Sequence, residues 1–172
     1  MGVDCELYSR LGFDAYKIKR MHPDMLVADC MTALAISEFE YNDSIDNMLS
    51  QIVHNGKIQY FLDAVLPFTP DTIKFGYTKD QFGWAEHNED KMWGYLIENN
   101  LLFSTDVLTI RKMVGEGPFT TLFANNSAPR AGAFLGWKIV QNYMENNPDI
   151  TLPELMGNTD YQGILNKAKY KP

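Results

Sequence analysis

The most constraining feature of the sequence is a helical period of apolar residues that runs through almost the whole chain. Five segments carry this period: residues 23–40, 43–64, 79–100, 106–114 and 131–144. Apolar residues that recur every three or four positions form a stripe along an α-helix, whereas strand-like alternation is weak here. The pattern therefore predicts a mainly α protein, a single helical domain with little or no sheet. Its long helices are expected to pack together: residues 44–65, 79–100 and 131–146.

Length and charge narrow the class of protein. A chain of 172 residues has the size of one domain, so residues 1–172 are expected to form a single domain. Fifteen Lys and Arg residues against 22 Asp and Glu residues give a net charge of −7. This charge speaks against nucleic acid or an anionic lipid surface as the main partner. The two cysteines, Cys5 and Cys30, are too few for a disulfide-rich scaffold.

Neither a membrane span nor a signal peptide is visible in the sequence. No apolar run approaches the roughly 20 residues that cross a bilayer. The N-terminal segment MGVDCELYSR lacks the apolar core of a signal peptide. We therefore expect either a cytoplasmic protein or one whose export segment lies outside this chain.

Local signals indicate how several helices begin and how deeply they are buried. The apolar residues of 23–40 predict a mostly buried helix, and the helix over 43–64 is expected to be central because its later half is apolar on two faces. Gly132 and Gly136 lie one turn apart on the last long helix, so a neighbouring backbone can approach closely. Three capping boxes are expected to begin later helices: Thr78 with Gln81, Thr151 with Glu154, and Thr159 with Gln162.

His54 stands in the segment His54-Asn55-Gly56-Lys57-Ile58. In an H-E-x-x-H peptidase helix, two histidines one turn apart bind zinc and the Glu deprotonates the bound water. Here Asn55 occupies the place of that Glu and Ile58 the place of the second His. Asn cannot take a proton and Ile cannot bind metal, so the segment predicts no zinc hydrolysis at this helix. A hydrogen-bonded histidine inside a central helix is the simpler interpretation.

Two charged residues stand out against apolar surroundings. Glu89 falls within an apolar helical stripe, which indicates a buried ion pair or, alternatively, a general acid or base. Arg130 stands at the start of the last long helix, where a cation opposes the helix dipole. We expect a compensating carboxylate of the chain, with Glu89 as a candidate, or a bound anion.

Aromatic residues are frequent along the predicted helices. Six of them could line a groove for a sugar or a peptide: Trp84, Trp93, Trp137, Tyr77, Tyr95 and Tyr143. Aromatic residues at helical spacing more often belong to the core, so both interpretations stay open. The sequence contains no G-x-S-x-G motif, P-loop or dinucleotide fingerprint.

Four stretches have a familiar composition and order: GKIQYFLDAVLP, GYTKDQFGWAEHNEDKMWGYLIENNLLFSTD, GPFTTLFANNSAPRAGAFLGWKIVQNYMENNPDITLPEL and the closing KAKYKP. Their most specific elements are Gly76-Tyr77-Thr78, Trp84 with Asn88-Glu89, Pro118-Phe119-Thr120, Ser127-Ala128-Pro129-Arg130-Ala131-Gly132, and Gly136-Trp137 with Ile139-Val140. Together they resemble the GldB family of gliding-motility-associated lipoproteins. The resemblance covers most of the chain, as the C-terminal part of such a lipoprotein.

The resemblance implies a bacterial cell-envelope protein, lipid-anchored or periplasmic, whose lipid anchor lies outside this chain. It also implies distant kinship with zincin-like peptidases, so the helical core is expected to be a degenerate zincin-like core. This chain departs from the pattern in two places, because it shows no lipobox and because its zinc motif is incomplete at residues 54–58. The incomplete motif favours a peptidase-derived scaffold that is used for binding.

We arrive at three functional hypotheses. The first is a non-enzymatic envelope protein that recognises a protein or a cell-wall element through the loop over 115–130 and nearby aromatic residues. Its candidate binding residues are His54, Trp84, Asn88, Glu89 and Arg130; no catalytic residue, metal site or cofactor is expected. The alternative is a hydrolase or metallopeptidase-like enzyme with an atypical centre around His54 and Glu86 or Glu89. The third hypothesis is a structural subunit of an envelope assembly.

Overall fold

The computed structural model describes residues 5–172. Within them the chain forms eleven α-helices, two short 3₁₀ turns and no strand, which confirms a mainly α, single-domain fold. The helices are α1 (Glu6–Arg10), α2 (Ala15–Arg20), α3 (Leu26–Glu38), α4 (Met48–Val65), α5 (Asp71–Phe75), α6 (Lys79–His87), α7 (Glu89–Glu98), α8 (Val107–Val114), α9 (Ala131–Asn146), α10 (Leu152–Gly157) and α11 (Tyr161–Ala168). The 3₁₀ turns are Pro23–Met25 and Asp43–Ile45. Residues 1–4 lie outside this description; they belong to the N-terminal segment in which the sequence shows no signal peptide.

Helices α4 and α9 form the centre of the fold. Every residue from Ala131 to Trp137 is buried, and α4 buries side chains on more than one face, including Ile52 and Phe61. Helix α11 packs across both, while α7 and α8 contact α9. The prediction that the helix over 43–64 is central is therefore confirmed, because packing on several sides is what an apolar surface on two faces requires.

Helix α4 begins later than its apolar period suggests. Asn47 caps it, since the Asn47 side chain accepts a hydrogen bond from the backbone N–H of Ser50 and the Ser50 hydroxyl accepts one from the backbone N–H of Asn47. The helix ends at Val65, one residue before Leu66-Pro67. Within residues 5–172, no helix combines the length and hydropathy that a membrane span needs.

The prediction that the helix over 23–40 is mostly buried is wrong. Helix α3 buries only Ala28 and Ala35, and Phe39 is buried just beyond its end. Several large apolar side chains on it are exposed: Leu26, Val27, Leu34 and Ile36. The helix contacts α4, α5 and the 3₁₀ turn Pro23–Met25, but these neighbours leave much of its surface uncovered. Apolar content indicates that a helix can be buried, but the number of neighbours decides whether it is.

The predicted helix over 79–100 is two helices, α6 and α7, which meet at Asn88. The Asn88 backbone leaves helical geometry, with φ −120° and ψ 14°. Its side-chain amide donates a hydrogen bond of 2.8 Å to the carbonyl oxygen of Trp84. Asn favours such local side-chain bonds over helix continuation, which explains the break.

Two of the three predicted capping boxes are present. Thr78 begins α6 with Gln81, and Thr151 begins α10 with Glu154. The box predicted at Thr159 is wrong, because the carboxylate of Asp160 caps α11 by accepting the backbone N–H of Gly163. The carboxylate lies one position after the threonine and takes the capping role in its place. Asp caps a helix at least as well as Thr.

Candidate functional site

The structure does not bring the five candidate binding residues together in one place. Trp84 and Asn88 line a shared surface groove. His54 lies inside the fold on α4, Glu89 packs toward the C-terminal end of the chain, and Arg130 lines a separate cleft just before α9. Of the five candidates, only Trp84 on α6 and Asn88 at the α6–α7 junction therefore share a surface site.

The groove with Trp84 and Asn88 has a volume of about 340 Å³ and is open to solvent. Its lining comes from α6, α7 and the loop between α8 and α9: Trp84, Asn88, Lys91, Met92, Tyr95, Phe123 and Ala124. The ring of Phe123 lies 5.9 Å from that of Trp84 and 5.5 Å from that of Tyr95, measured between ring centroids. Three rings, one each from α6, α7 and the loop, thus form one aromatic surface, which we call the aromatic groove.

Local structure explains how these residues reach the groove. The break at Asn88 separates the helix that carries Trp84 from the helix that carries Tyr95. The loop with Phe123 is fastened at its base, because the hydroxyl of Thr120 donates to the carbonyl of Ala128 at 2.7 Å and accepts the backbone N–H of Ala131 at 2.8 Å. Phe123 is therefore held by a loop whose two ends are tied to the start of α9.

Polar groups stand beside the aromatic rings of the groove. The side-chain amide of Asn88 donates to the carbonyl of Trp84, and its oxygen accepts from the ammonium group of Lys91 at 3.2 Å. Trp84 and Tyr95 are half-buried, so part of each ring faces solvent. Apolar faces next to a few placed amide and ammonium groups are the usual composition of a small-molecule or glycan site.

His54 is half-buried on α4. Its ring packs edge-on against the ring of Tyr41, with centroids 4.9 Å apart. Its Nδ1 atom is buried without a hydrogen-bond partner, contrary to the expectation of a hydrogen-bonded histidine. Burial, together with the positive charge of Lys57, lowers the pKa of His54 to about 4.

The structure does not pair His54 with either carboxylate of the hydrolase hypothesis. Glu86 is exposed on α6. Glu89 accepts a hydrogen bond of 2.7 Å from the hydroxyl of Tyr170, and burial together with this contact raises the pKa of Tyr170. Instead of a carboxylate, Tyr41 lies beside His54, and its hydroxyl donates to Asp46 at 2.6 Å. In residues 5–172 no group of three or more His, Cys, Asp or Glu side chains is arranged to hold a metal ion.

Arg130 has a compensating carboxylate of the chain, but that carboxylate is Glu116 rather than Glu89. The Nε atom of Arg130 lies 3.8 Å from Oε1 of Glu116. Another guanidinium nitrogen of Arg130 donates to the backbone carbonyl of Phe75 at 2.9 Å. The expectation of an internal partner thus agrees with the structure, whereas the partner suggested from the sequence does not.

Sequence reasoning missed four members of the aromatic groove: Lys91, Met92, Phe123 and Ala124. Phe123 lies inside the loop over 115–130, for which the sequence predicts a recognition role without indicating a residue. Lys91 and Met92 lie three and four positions after Asn88, a spacing that places them on the same helical face. That spacing was the available signal for these two residues.

Comparison with known proteins identifies the family. The model of the family described as gliding motility protein GldB matches residues 1–172. No curated protein and no solved structure shows a significant match. Because the family model covers the whole length, the chain belongs to the GldB family of gliding-motility lipoproteins, which implies a location at the cell envelope.

Proposed function

We propose that this protein is a non-enzymatic binding component of the cell envelope, whose aromatic groove recognises a saccharide of the cell wall. The observation that carries the proposal is the groove itself, in which Trp84, Tyr95 and Phe123 present ring faces beside the Asn88 amide. A sugar ring has an apolar C–H face and an edge of hydroxyl groups. The aromatic faces suit the former, and the amide and ammonium groups of Asn88 and Lys91 suit the latter.

The surroundings of His54 support the non-enzymatic part of the proposal. The side-chain amide of Asn55, in the place of a catalytic Glu, donates to the backbone carbonyl of Gln51 and so serves the helix. Ile58 is buried in the cluster between α3 and α4. Descent from a zincin-like peptidase is part of the same proposal and depends on the likeness of residues 54–58 to an incomplete H-E-x-x-H motif.

Binding to cell-wall saccharide tests the role of the groove. The probes are isolated peptidoglycan, in a co-sedimentation assay, and the N-acetylglucosamine–N-acetylmuramic acid disaccharide, in a calorimetric titration. Phe123→Ala and Tyr95→Ala are each expected to weaken binding about tenfold, because a central aromatic contact typically contributes more than 1 kcal/mol. Phe68→Ala is the matched control, since Phe68 is 99% exposed and lies outside the groove.

Two results would overturn the assignment of saccharide binding to the groove. One is the absence of saturable binding by the wild-type protein. The other is unchanged affinity in both groove variants while their circular dichroism spectra match that of the wild type. Equal losses in Phe68→Ala and Phe123→Ala would likewise show that the groove is not the site.

Metal analysis with a broad peptidase assay tests the non-enzymatic part. The protein is expected to show no turnover of casein or of short peptides, with or without added zinc. Stoichiometric zinc together with turnover would overturn this part. Loss of such turnover in His54→Gln would then favour the hydrolase with an atypical centre at His54.

The exposed apolar side of α3 favours a structural subunit as the second candidate function. Val27 and Leu34 lie on the same side of α3 and are both exposed. Contiguous exposed apolar surface often marks an interaction site. Size-exclusion chromatography with light scattering distinguishes the two functions: an oligomer that Leu34→Glu dissociates, in a protein that binds no saccharide, would favour the structural subunit.

A further inference from the structure

A second cleft, of about 340 Å³, lies on a different part of the surface from the aromatic groove. It is enclosed by α2, by the turn between α5 and α6, and by the start and end of the loop over 115–130. Three cations and one carboxylate line it: Lys19, Arg20, Arg130 and Glu116. The chain as a whole carries a net charge of −7, so this cleft is a local excess of positive charge on an acidic protein.

Both arginines of the cleft point to the same oxygen. The Nη1 atom of Arg20 lies 3.5 Å from Oε1 of Glu116, and the Nε atom of Arg130 lies 3.8 Å from it. Hydrogen bonds between a guanidinium and a carboxylate are usually about 2.7–2.9 Å long. The side chain of Glu116 is 58% exposed, whereas that of Arg130 is 14% exposed. The Glu116 carboxylate therefore lies on the solvent side of the two guanidinium groups and makes only long contacts with them. The guanidinium groups themselves are less exposed.

The two guanidinium groups are positioned by other contacts. Arg20 forms an ion pair of 3.0 Å with Asp29 on α3. Arg130 donates to the carbonyl of Phe75, and Glu116 is the one carboxylate it contacts among residues 5–172. A mostly buried guanidinium is costly unless a close anion compensates it. Arg130 thus has a fixed position and a weakly placed counter-charge.

The backbone of Arg130 also indicates a ligand-binding position. Its φ of 50° and ψ of 46° place it in the left-handed region, where glycine is the residue without strain. This conformation sets the direction of the side chain at the start of α9, and the carbonyl of Arg130 accepts the backbone N–H of Ala133. A strained, non-glycine residue beside a cleft is typical of ligand-binding positions.

We propose that this cleft binds the free carboxylate of a peptide C-terminus, which replaces the Glu116 carboxylate between Arg20 and Arg130. The planar guanidinium fork matches a carboxylate, and Oε1 of Glu116 marks the place of one ligand oxygen. Tyr77 and Pro118 also line the cleft and offer apolar contact to the last side chain of the peptide. The volume suits one or two residues, at the lower end of ligand sites, which span about 300–1,000 Å³.

A titration with matched small peptides tests this inference by chemical-shift changes in NMR spectra of the full chain. The probes are acetyl-Ala-Leu with a free carboxylate, the same peptide as its C-terminal amide, 4-methylpentanoate as a simple acid, and phenyl phosphate. The peptide acid is expected to bind saturably at the cleft. The amide is expected to bind at least about tenfold more weakly, because one charged hydrogen-bonded contact contributes about that factor.

Three variants make the test specific. Arg130→Gln is expected to weaken binding of the peptide acid about tenfold. Glu116→Gln is expected to strengthen it several-fold, since it removes the competing carboxylate without removing a cation. Arg10→Gln changes the net charge as Arg130→Gln does, but it removes an exposed arginine on α1 outside the cleft, so it is the control.

Glu116→Gln tests the inference even if Arg130→Gln disturbs the fold, because it is expected to strengthen binding of the peptide acid. Equal binding of acid and amide, or unchanged or weaker binding in Glu116→Gln, would overturn it. Tighter binding of phenyl phosphate than of the peptide acid would overturn the choice of carboxylate. Equal binding of 4-methylpentanoate and the peptide acid would overturn the choice of a peptide. Each of these results is independent of saccharide binding at the aromatic groove.

Discussion

Gly136 on α9 lies directly against Gly56 on α4, and the two helices approach so closely that neither position has room for a Cβ atom. A Cβ on Gly56 would meet the backbone of Gly136, and a Cβ on Gly136 would meet the carbonyl of Ile52. Backbone atoms cannot move aside as a flexible side chain can. This contact therefore sets the distance between the two central helices, around which the rest of the core is built.

We expect Gly136→Ala to lower the free energy of unfolding by about 3 kcal/mol, or to prevent folding, because it overpacks a contact between backbones. The measurement is urea unfolding followed by circular dichroism. Gly94→Ala on α7 is the control, since among the described residues nothing beyond the neighbouring backbone of its own helix lies within 4 Å of its Cβ position. It is expected to raise stability by about 0.5–1 kcal/mol, the usual gain of Ala over Gly in a helix. A similar change in both variants would contradict the close-contact account.

The half-buried ring of His54 is expected to make stability depend on pH between about 4 and 6.5. Its pKa is about 4 in the folded protein, below the ordinary value of 6.5. The unfolded chain therefore binds the proton first, so the contribution is complete above pH 6.5 and is lost as the pH falls toward 4. The loss is of the order of 2 kcal/mol once contact with solvent is allowed for.

Urea unfolding at a series of pH values measures this effect. The difference between the wild type and His54→Gln isolates the histidine from the titrating carboxylates, and the slope is expected to be shallower in the variant. His87→Gln changes an exposed histidine on α6 and should retain the wild-type slope. If His54→Gln retains that slope as well, His54 is not the titrating group.

Lys57 is expected to stabilise the packing of α4 against the C-terminal helices. Its ammonium group is fully buried and donates to the carbonyls of Met156 and Asn158, at 2.9 and 2.8 Å. These carbonyls lie at the C-terminal end of α10, where the last carbonyl groups of a helix have no hydrogen-bond donor within the helix. Lys57→Met should therefore lower the free energy of unfolding by about 2–3 kcal/mol at pH 7, because it leaves both carbonyls unpaired.

Alkaline pH gives a second measurement on Lys57. Burial lowers the pKa of Lys57 to about 8, against an ordinary value of 10.5. The unfolded chain binds more protons between these values, so this lysine makes the wild type more stable as the pH rises from 8 to 10.5. The increase should be absent in Lys57→Met and present in Lys112→Met, which changes an exposed lysine on α8. An increase of the same size in all three proteins would argue against a buried, charged Lys57.

Asp63 is expected to couple α4, α5 and α9 through two contacts. Its carboxylate accepts the indole N–H of Trp137 at 2.6 Å and forms an ion pair with the buried ammonium group of Lys74. Asp63→Asn should lower the free energy of unfolding by about 3 kcal/mol, because it leaves a buried cation with the Asp71 carboxylate alone. Trp137 fluorescence is expected to change in the same variant, whereas the exposed Asp149→Asn should change neither measurement.

The partners of the charged residues could not be predicted from the sequence. Glu89 was identified as a carboxylate in an apolar stripe, but its partner is Tyr170, 81 positions away. Arg130 was identified as a cation needing an anion, but it contacts Phe75 and Glu116 instead of Glu89. The need for a partner follows from burial and charge, whereas the identity of the partner follows from which segments the fold brings together.

The aromatic groove was predictable in part. The sequence singled out Trp84, Asn88 and Tyr95 as candidates and the loop over 115–130 as a recognition element. It did not indicate that the α6–α7 break at Asn88 and the fastened loop would place Phe123 between two of those rings. Likewise, the apolar period of α3 predicted a helix, but the exposure of Leu34 could not be foreseen.

What the sequence determined by itself is local: the helical class, the caps at Thr78 and Thr151, and the glycine positions that allow a close approach. The helical class and the caps depend on contacts between residues at most about four positions apart, and the glycines are recognised by their spacing along one helix, so the chain alone is enough to predict them. The tertiary structure alone decided which helices have neighbours, which carboxylate meets which cation, and where rings from distant segments meet. Such contacts depend on the packing of the whole chain, since each requires two remote segments to share a surface.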